Sequence, residues 1–326
     1  MKTLKASLLL SSLLPFGVLA EETTDLPQLA DLPVGITSFG AAFHGNAIYT
    51  YGGQLGQAHT YHRDNVSKPL YRLKFSSDAE WEELPSDEPA LGPALLNHSS
   101  GVIRIGGMQP RNSENEESNM VSVPFVRRFD PKTNAWSELP NLPSGRSSHD
   151  AWIDGDKIYV AGGWQMQGID QPNLWASTVE VLDLSADEPK WKSIPQPFRR
   201  RALAAVVLGE ELFCLGGIDN GGDTSLEVDI LDLKTKEWRK GPALPEAPMD
   251  GFGLAAAVEA SEDTLYITGF NGEVYAYDAA GKWVKSGKFE HGRMFGRLVD
   301  PPEAPLVVIG GTGKGGRATA LEFLPE

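Results

Sequence analysis

One cysteine, Cys214, stands in a chain of 326 residues. No intramolecular disulfide can form, and a thiolate metal centre has too few ligands. Its setting, Glu211-Leu212-Phe213-Cys214-Leu215, is that of an apolar strand, where a lone thiol behaves as a small hydrophobe. Cations are also in short supply: 29 Lys and Arg face 44 Asp and Glu, for a formal charge of −15. A surface of that sign repels phosphate backbones and anionic lipid, which excludes nucleic acid as a partner and makes any anionic ligand depend on a local basic cluster. Sustained helical periodicity is missing, and beyond residue 20 no apolar run approaches the roughly 20 residues that cross a bilayer. The expectation is an all-β protein with no membrane span, no metal and no cofactor.

Hydrophobicity is concentrated at the start. Met1-Lys2-Thr3-Leu4-Lys5 is basic, Ala6 to Leu19 is almost wholly apolar, and Val18-Leu19-Ala20 places small residues before the acidic Glu21-Glu22. This is the pattern of an export signal cleaved after Ala20, since the short run, broken by Ser11, Ser12 and Pro15, suits an uncleaved anchor poorly. Cleavage removes two lysines, Lys2 and Lys5, and moves the formal charge from −15 to −17. The expected location is periplasmic or secreted, with residues 21–326 forming a single domain and a monomer.

Past that segment the sequence repeats itself. An apolar strand ends in a diglycine or its remnant six times, at Gly52-Gly53, Gly106-Gly107, Gly162-Gly163, Gly216-Gly217, Gly269-Phe270 and Gly310-Gly311. The steps between them are 54, 56, 54, 53 and 41 residues. After each of the first five come a loop, a strand, a turn and then a tryptophan, namely Trp81, Trp136, Trp191, Trp238 and Trp283. A tryptophan at a fixed place in every repeat signals packing between repeats rather than a ligand platform. Each unit reads as four antiparallel strands, a to d from the centre outward, with approximate bounds in the third unit of 148–153, 157–162, 178–183 and 190–194. The last unit stops short of its tryptophan-bearing strand. At the other end, Leu26-Pro27-Gln28-Leu29-Ala30-Asp31-Leu32-Pro33-Val34-Gly35 resembles the strand-d exit Leu139-Pro140-Asn141-Leu142-Pro143-Ser144-Gly145, so residues near 24–32 are expected to supply strand d of the sixth blade beside the strand around 318–323 and to close the ring.

These diglycines, tryptophans and turns resemble the kelch family, which implies a six-bladed kelch-type β-propeller. Kelch propellers serve as protein-binding modules, a copper oxidase and a sialic acid mutarotase, so the fold leaves function open. The copper oxidase pattern fails here, because it needs a crosslinked cysteine at the ring mouth and two converging histidines. The segments Gly281–Gly287 and His291-Gly292-Arg293-Met294-Phe295-Gly296 resemble the C-terminal blades of periplasmic N-acetylneuraminate epimerases. That resemblance implies an acid/base glutamate in a middle-blade insertion. The stretch from Gln165 to Ser177 is short and its only acid is Asp170.

Strand alternation puts the d–a and b–c connections on one face, and that face holds the long loops 54–68, 108–122 and 164–177. Arg146, Arg199, Arg200, Arg201, Arg293 and Arg297 fall at or just before strand a, where guanidinium forks suit carboxylates. The competing reading is that they are structural, paired with acids such as Asp150 and Asp250. The ligand-binding set read from the sequence is Arg146, His149, Arg200, Arg293, Arg297, His62, Arg63, Trp164 and Gln165, with His59, Tyr61 and Trp175 nearby on the same loops. The expected function is an exported binding module for a carbohydrate or a peptide, anionic ligands included. The alternative is a mutarotase-like sugar isomerase.

Overall fold

An apolar strand followed by two glycines folds the same way each time it recurs. In the third repeat, Lys157–Ala161 alternates so that Ile158 and Val160 join the cluster shared with the second repeat, while Tyr159 and Ala161 join that shared with the fourth. Both faces of each sheet are therefore apolar, and a fully buried Val, Leu or Ile contributes about 1.5–3 kcal/mol. The computed structural model describes residues 26–57, 60–245, 252–259 and 263–325. In it the third repeat is the sheet Asp150–Asp154, Lys157–Ala161, Thr178–Asp183 and Lys192–Pro195, in that order. Six such blades form a ring, in which the inner strands Gly40–His44, Ala94–His98, Asp150–Asp154, Ala204–Leu208, Ala255–Glu259 and Arg297–Val299 each pack on the next and the last packs on the first. The protein is an all-β, six-bladed propeller. No helix among the described residues is long and apolar enough to cross a membrane.

The diglycines have a backbone reason. In five of the six, both residues adopt positive φ, and a Cβ on Gly163 would stand 2.6 Å from the Ser147 carbonyl oxygen. Free of side chains, the second glycine reaches the following blade: Gly53 N–H donates to Ala90 O at 2.9 Å, Gly107 to Arg146 O at 2.9 Å and Gly163 to Arg200 O at 2.8 Å.

The seam between the last and first blades uses the same bonds. Gly311 N–H donates to Ile36 O at 2.9 Å. The indole of each strand-d tryptophan donates to the exit of the preceding blade, from Trp136 to Pro85 O, Trp191 to Pro140 O, Trp238 to Pro195 O and Trp283 to Pro242 O. Trp81 does likewise to Ala30 O at 3.1 Å. Leu32 N–H donates to Thr319 O at 2.8 Å, as Leu142 does to Pro124 O and Leu244 to Leu226 O. Residues 30–32 thus occupy the strand-d exit of the sixth blade, and the N-terminal segment closes the ring. By the equivalence of Leu32 with Leu142 and Leu244 the ladder of that strand would fall on residues 26–28, which form no strand, so the sixth sheet has three strands among the described residues and the N-terminal segment joins it through Leu32 rather than through a fourth ladder.

At the first position of strand a, four blades carry Gly40, Ala94, Ala204 and Ala255, while the opposed third and sixth carry Asp150 and Arg297. Room left by the small residues lets these two meet across the central channel at 3.6 Å. Arg297 Nε also donates to Phe39 O at 2.9 Å, and Asp150 accepts the Ala205 N–H at 3.0 Å. One charged pair thereby ties blades one, three, four and six. Burial holds the Asp150 carboxyl above the usual carboxylate range, against the pull of Arg297.

Candidate binding site on the loop face

Three of the arginines expected at the channel mouth are turned into the blades. Arg146, Arg200 and Arg293 each lie four residues before strand a, and each reaches a carboxylate on strand c of its own blade. Arg146 meets Glu180 at 3.2 Å and donates to Val160 O and Thr178 O. Arg200 pairs with Asp229 and donates to Gly216 O and Glu227 O. Arg293 pairs with Glu322 and donates to Gly310 O and Ala320 O. All three guanidinium groups are buried and paired with a carboxylate, with the Arg200 Nε left without a hydrogen-bond partner, so the expected ring of ligand-binding arginines is corrected to a set of scaffold pairs. Arg297 does face the channel, but it is engaged by Asp150 and Phe39. Asp250, the other acid weighed for these arginines, lies outside the described residues. His149 is likewise no surface ligand: it is buried against Gly106, and desolvation lowers its pKa to about 3, with Arg146 and Arg297 adding to the effect.

Arg201 takes the opposite direction. Strand neighbours alternate sides, so when Arg200 points inward its neighbour on the two-residue strand Arg200–Arg201 must point away. Its guanidinium stacks on Trp164 at 4.4 Å, and Trp164 packs against Trp175 at 5.4 Å between ring centroids. Arg201 is half-buried, its Nε has no hydrogen-bond partner, and no carboxylate among the described residues pairs with it. Burial therefore lowers its pKa, opposed only by Tyr61. The Tyr61 phenol is raised by its own burial while both Arg201 and Arg317 pull it down, so cations of the fourth and sixth blades both act on this ring. Arg317 donates to Gln54 O on the first blade's loop. It also lines a groove of about 730 Å³ together with Asn271, Lys288, His291 and Lys314.

The long loops build a wall beside this cluster. Asn112 Nδ2 donates to Tyr61 O at 2.8 Å, linking the first loop to the second. Ser122 N–H donates to Met166 O at 2.9 Å and its hydroxyl lies 2.7 Å from that of Ser147, linking the second to the third. Val66, Leu91 and Met120 form a small core beneath, with Tyr61, Met108 and Met166 packed on it. Within the wall, Arg63 turns outward to Ser113 Oγ at 2.8 Å, and His62 sits at the start of the short 3-10 turn Arg63–Asn65 with its N–H on Asn65 Oδ1. Gln165 pairs with Leu174 in the hairpin that carries Trp164 and Trp175. His59 lies outside the described residues. Of the expected set, the cluster therefore gathers Trp164. Arg201 and Tyr61, named on this face but outside the favoured set, join it, and Arg317 carried no signal in the sequence. Among the described residues no three His, Cys, Asp or Glu gather as metal ligands.

Comparison with known proteins agrees with this architecture. The solved structure titled "Structure of YjhT" superposes with a TM-score of 0.69 over 90% of this chain and 95% of that one, at 21% identity. N-acetylneuraminate epimerase of Escherichia coli O1:K1 is 24% identical over 362 residues, covering 94% of each chain. Beta-scruin of Limulus polyphemus is 26% identical over 222 residues, which is 66% of this chain. The chain spans 23% of the length of beta-scruin and 38% of human Kelch repeat and BTB domain-containing protein 12. The model of the KLHDC2/KLHL20/DRC7 kelch-repeats domain matches residues 92–290, more than half of the sequence, and the chain belongs to this kelch-repeat family.

Proposed function

We propose that the protein is an exported kelch-repeat binding module whose loop face takes a carboxylate-bearing ligand, an acidic carbohydrate or peptide, at Arg201, Arg317, Tyr61 and Trp164. One observation carries the reading: Arg201 is half-buried on Trp164, and no acid among the described residues neutralises it. Such a guanidinium offers two parallel donors to a carboxylate, and the indoles beside it supply apolar area for a sugar or peptide body. Export rests on the leader-like residues 1–20. The test is calorimetric titration of the full chain with N-acetylneuraminate and with acidic peptides. Arg201→Ala should weaken binding about 10- to 150-fold, the range of a charged hydrogen bond, and unchanged affinity would sink the proposal.

A second reading, a mutarotase-like sugar isomerase, is favoured by the match to N-acetylneuraminate epimerase along 94% of both chains. General acid–base work needs a positioned carboxyl group, and the acid of the third loop, Asp170, is an exposed residue of the hairpin tip. Anomer interconversion of N-acetylneuraminate followed by NMR decides between the readings. A rate above that of buffer establishes catalysis, and ligand binding without it leaves the module.

A further inference from the structure

The face opposite the loops carries a second cationic groove, between blades one and two. About 660 Å³ in volume, it is lined by Arg72, Lys74, Arg128 and Lys132, by the hydroxyls of Ser76, Ser99 and Ser100, and by a single acid, Asp130. Arg72 is already held by Glu82 at 2.6 Å. Setting Asp130 against one of the remaining three cations leaves two without an acid in a protein whose formal charge is −15. Arg128 is the pivotal one. It projects from the strand Val126–Asp130, is half-buried, and spends one Nη1 bond of 3.3 Å on Ser100 Oγ. Its Nε is buried without a hydrogen-bond partner, and no carboxylate among the described residues pairs with it. A desolvated donor left unmet is costly, and folded proteins keep such groups where something else completes them.

The groove between blades three and four sharpens the contrast. Five lysines line it, but so do Asp154, Asp183 and Glu210, and Lys234 is taken by Glu210 at 2.5 Å. With Lys190 held by Glu188 at 2.7 Å, the three remaining lysines face Asp154 and Asp183, which leaves one cation without an acid against two in the groove between blades one and two.

We propose that the groove between blades one and two binds a tetrahedral oxyanion, a phosphate or sulfate group, with the Arg128 guanidinium as the central contact and Lys74, Lys132 and the serine hydroxyls around it. A planar fork, two ammonium point charges and several hydroxyls approach from more directions than the two oxygens of a carboxylate can use, and they suit a group with three or four terminal oxygens. The volume leaves space for the organic body of an ester. This site is independent of the loop face and stands or falls separately from it.

Calorimetric titration of the full chain at constant ionic strength, with inorganic phosphate, sulfate, glycerol phosphate and acetate, tests the assignment. Saturable binding of phosphate or sulfate is expected, about tenfold or more above acetate and weakening as salt rises. Tighter binding of glycerol phosphate than of inorganic phosphate assigns the groove to an ester, and the reverse assigns it to the free ion. Arg128→Gln should weaken binding about tenfold or more. Because that guanidinium is half-buried, the exposed double variant Lys74→Gln, Lys132→Gln provides the second measurement, with thermal melting as the check on folding and Arg201→Ala as the control that leaves this site intact. No saturable binding, acetate bound as well as phosphate, or unchanged affinity in the lysine double variant would overturn the proposal.

Discussion

Arg200 and Arg201 are consecutive residues of one two-residue strand, yet one faces the interior of blade four and the other faces the loops. Arg200 is paired with Asp229 and donates to two carbonyls, while Arg201 lies on an indole and pairs with no acid among the described residues. Interior arginines of this fold hold a sheet together, and a buried charge there is tolerable only because its partner is present. On the loop face the same side chain is left electrostatically incomplete. A charge that the scaffold does not need is one that a ligand can use.

The sharpest way to break this comparison is to remove the carboxylate. Asp229→Ala strands the Arg200 guanidinium in the interior and should cost about 3–5 kcal/mol in urea unfolding, whereas Arg201→Ala should stay within about 0.5 kcal/mol of the parent. Equal losses in the two variants would show that the exposed arginine is structural as well.

The next effect is smaller and depends on pH. His149 is neutral when folded because burial lowers its pKa to about 3, but the unfolded chain takes up a proton below about 6.5. Stability from this group is fully present above that value and falls with pH toward 3, with a slope of up to about 1.4 kcal/mol per pH unit. Replacing His149 with Gln should flatten the acid limb of chemical denaturation measured across that range. An unchanged limb would mean that the imidazole is protonated in the folded protein.

Asp150 titrates with the opposite sign. Its carboxyl is held above the ordinary range, so between the usual value and the raised one the folded chain keeps a proton that the unfolded chain has released. Its contribution therefore declines as pH rises through that window. Asp150→Asn retains an acceptor for the Ala205 N–H and should remove that decline while staying within about 1 kcal/mol of the parent near neutral pH. A loss as large as that of Asp229→Ala would instead show that the pair across the channel holds the ring. Smallest of all is the exposed pair Lys190–Glu188, with side chains 75% and 80% accessible, where Lys190→Ala should leave the melting temperature unmoved.

Much of the ring was legible in the chain. A diglycine recurs because two successive positive-φ residues are needed where a strand end approaches the next blade, and a tryptophan recurs because its N–H reaches the carbonyl of the preceding blade's exit. Both causes are local and act alike in every repeat. The closing role of the N-terminus followed from the likeness of Leu26–Gly35 to Leu139–Gly145, and the equivalent bonds of Leu32 and Leu142 show why it was informative, although residues 26–28 add no fourth ladder to the sixth sheet. The site was far less legible. Arg146, Arg200 and Arg293 look like a ring of ligand contacts in one dimension because nothing in their own segments announces Glu180, Asp229 and Glu322, each about 30 residues downstream.

The sequence by itself determined the architecture: all-β blades, their number, the seam, and the face on which long loops gather. These follow from periodicity and turn chemistry, which act over a few residues and repeat. Only the tertiary structure decided which cations are consumed. Whether a guanidinium meets a carboxylate depends on which strand lies beside it and on which side of the pleat it emerges, so Arg200 and Arg201, one residue apart, take different environments. The meeting of Asp150 with Arg297 was settled the same way, by small residues at four other positions that leave the channel open for two distant side chains to touch.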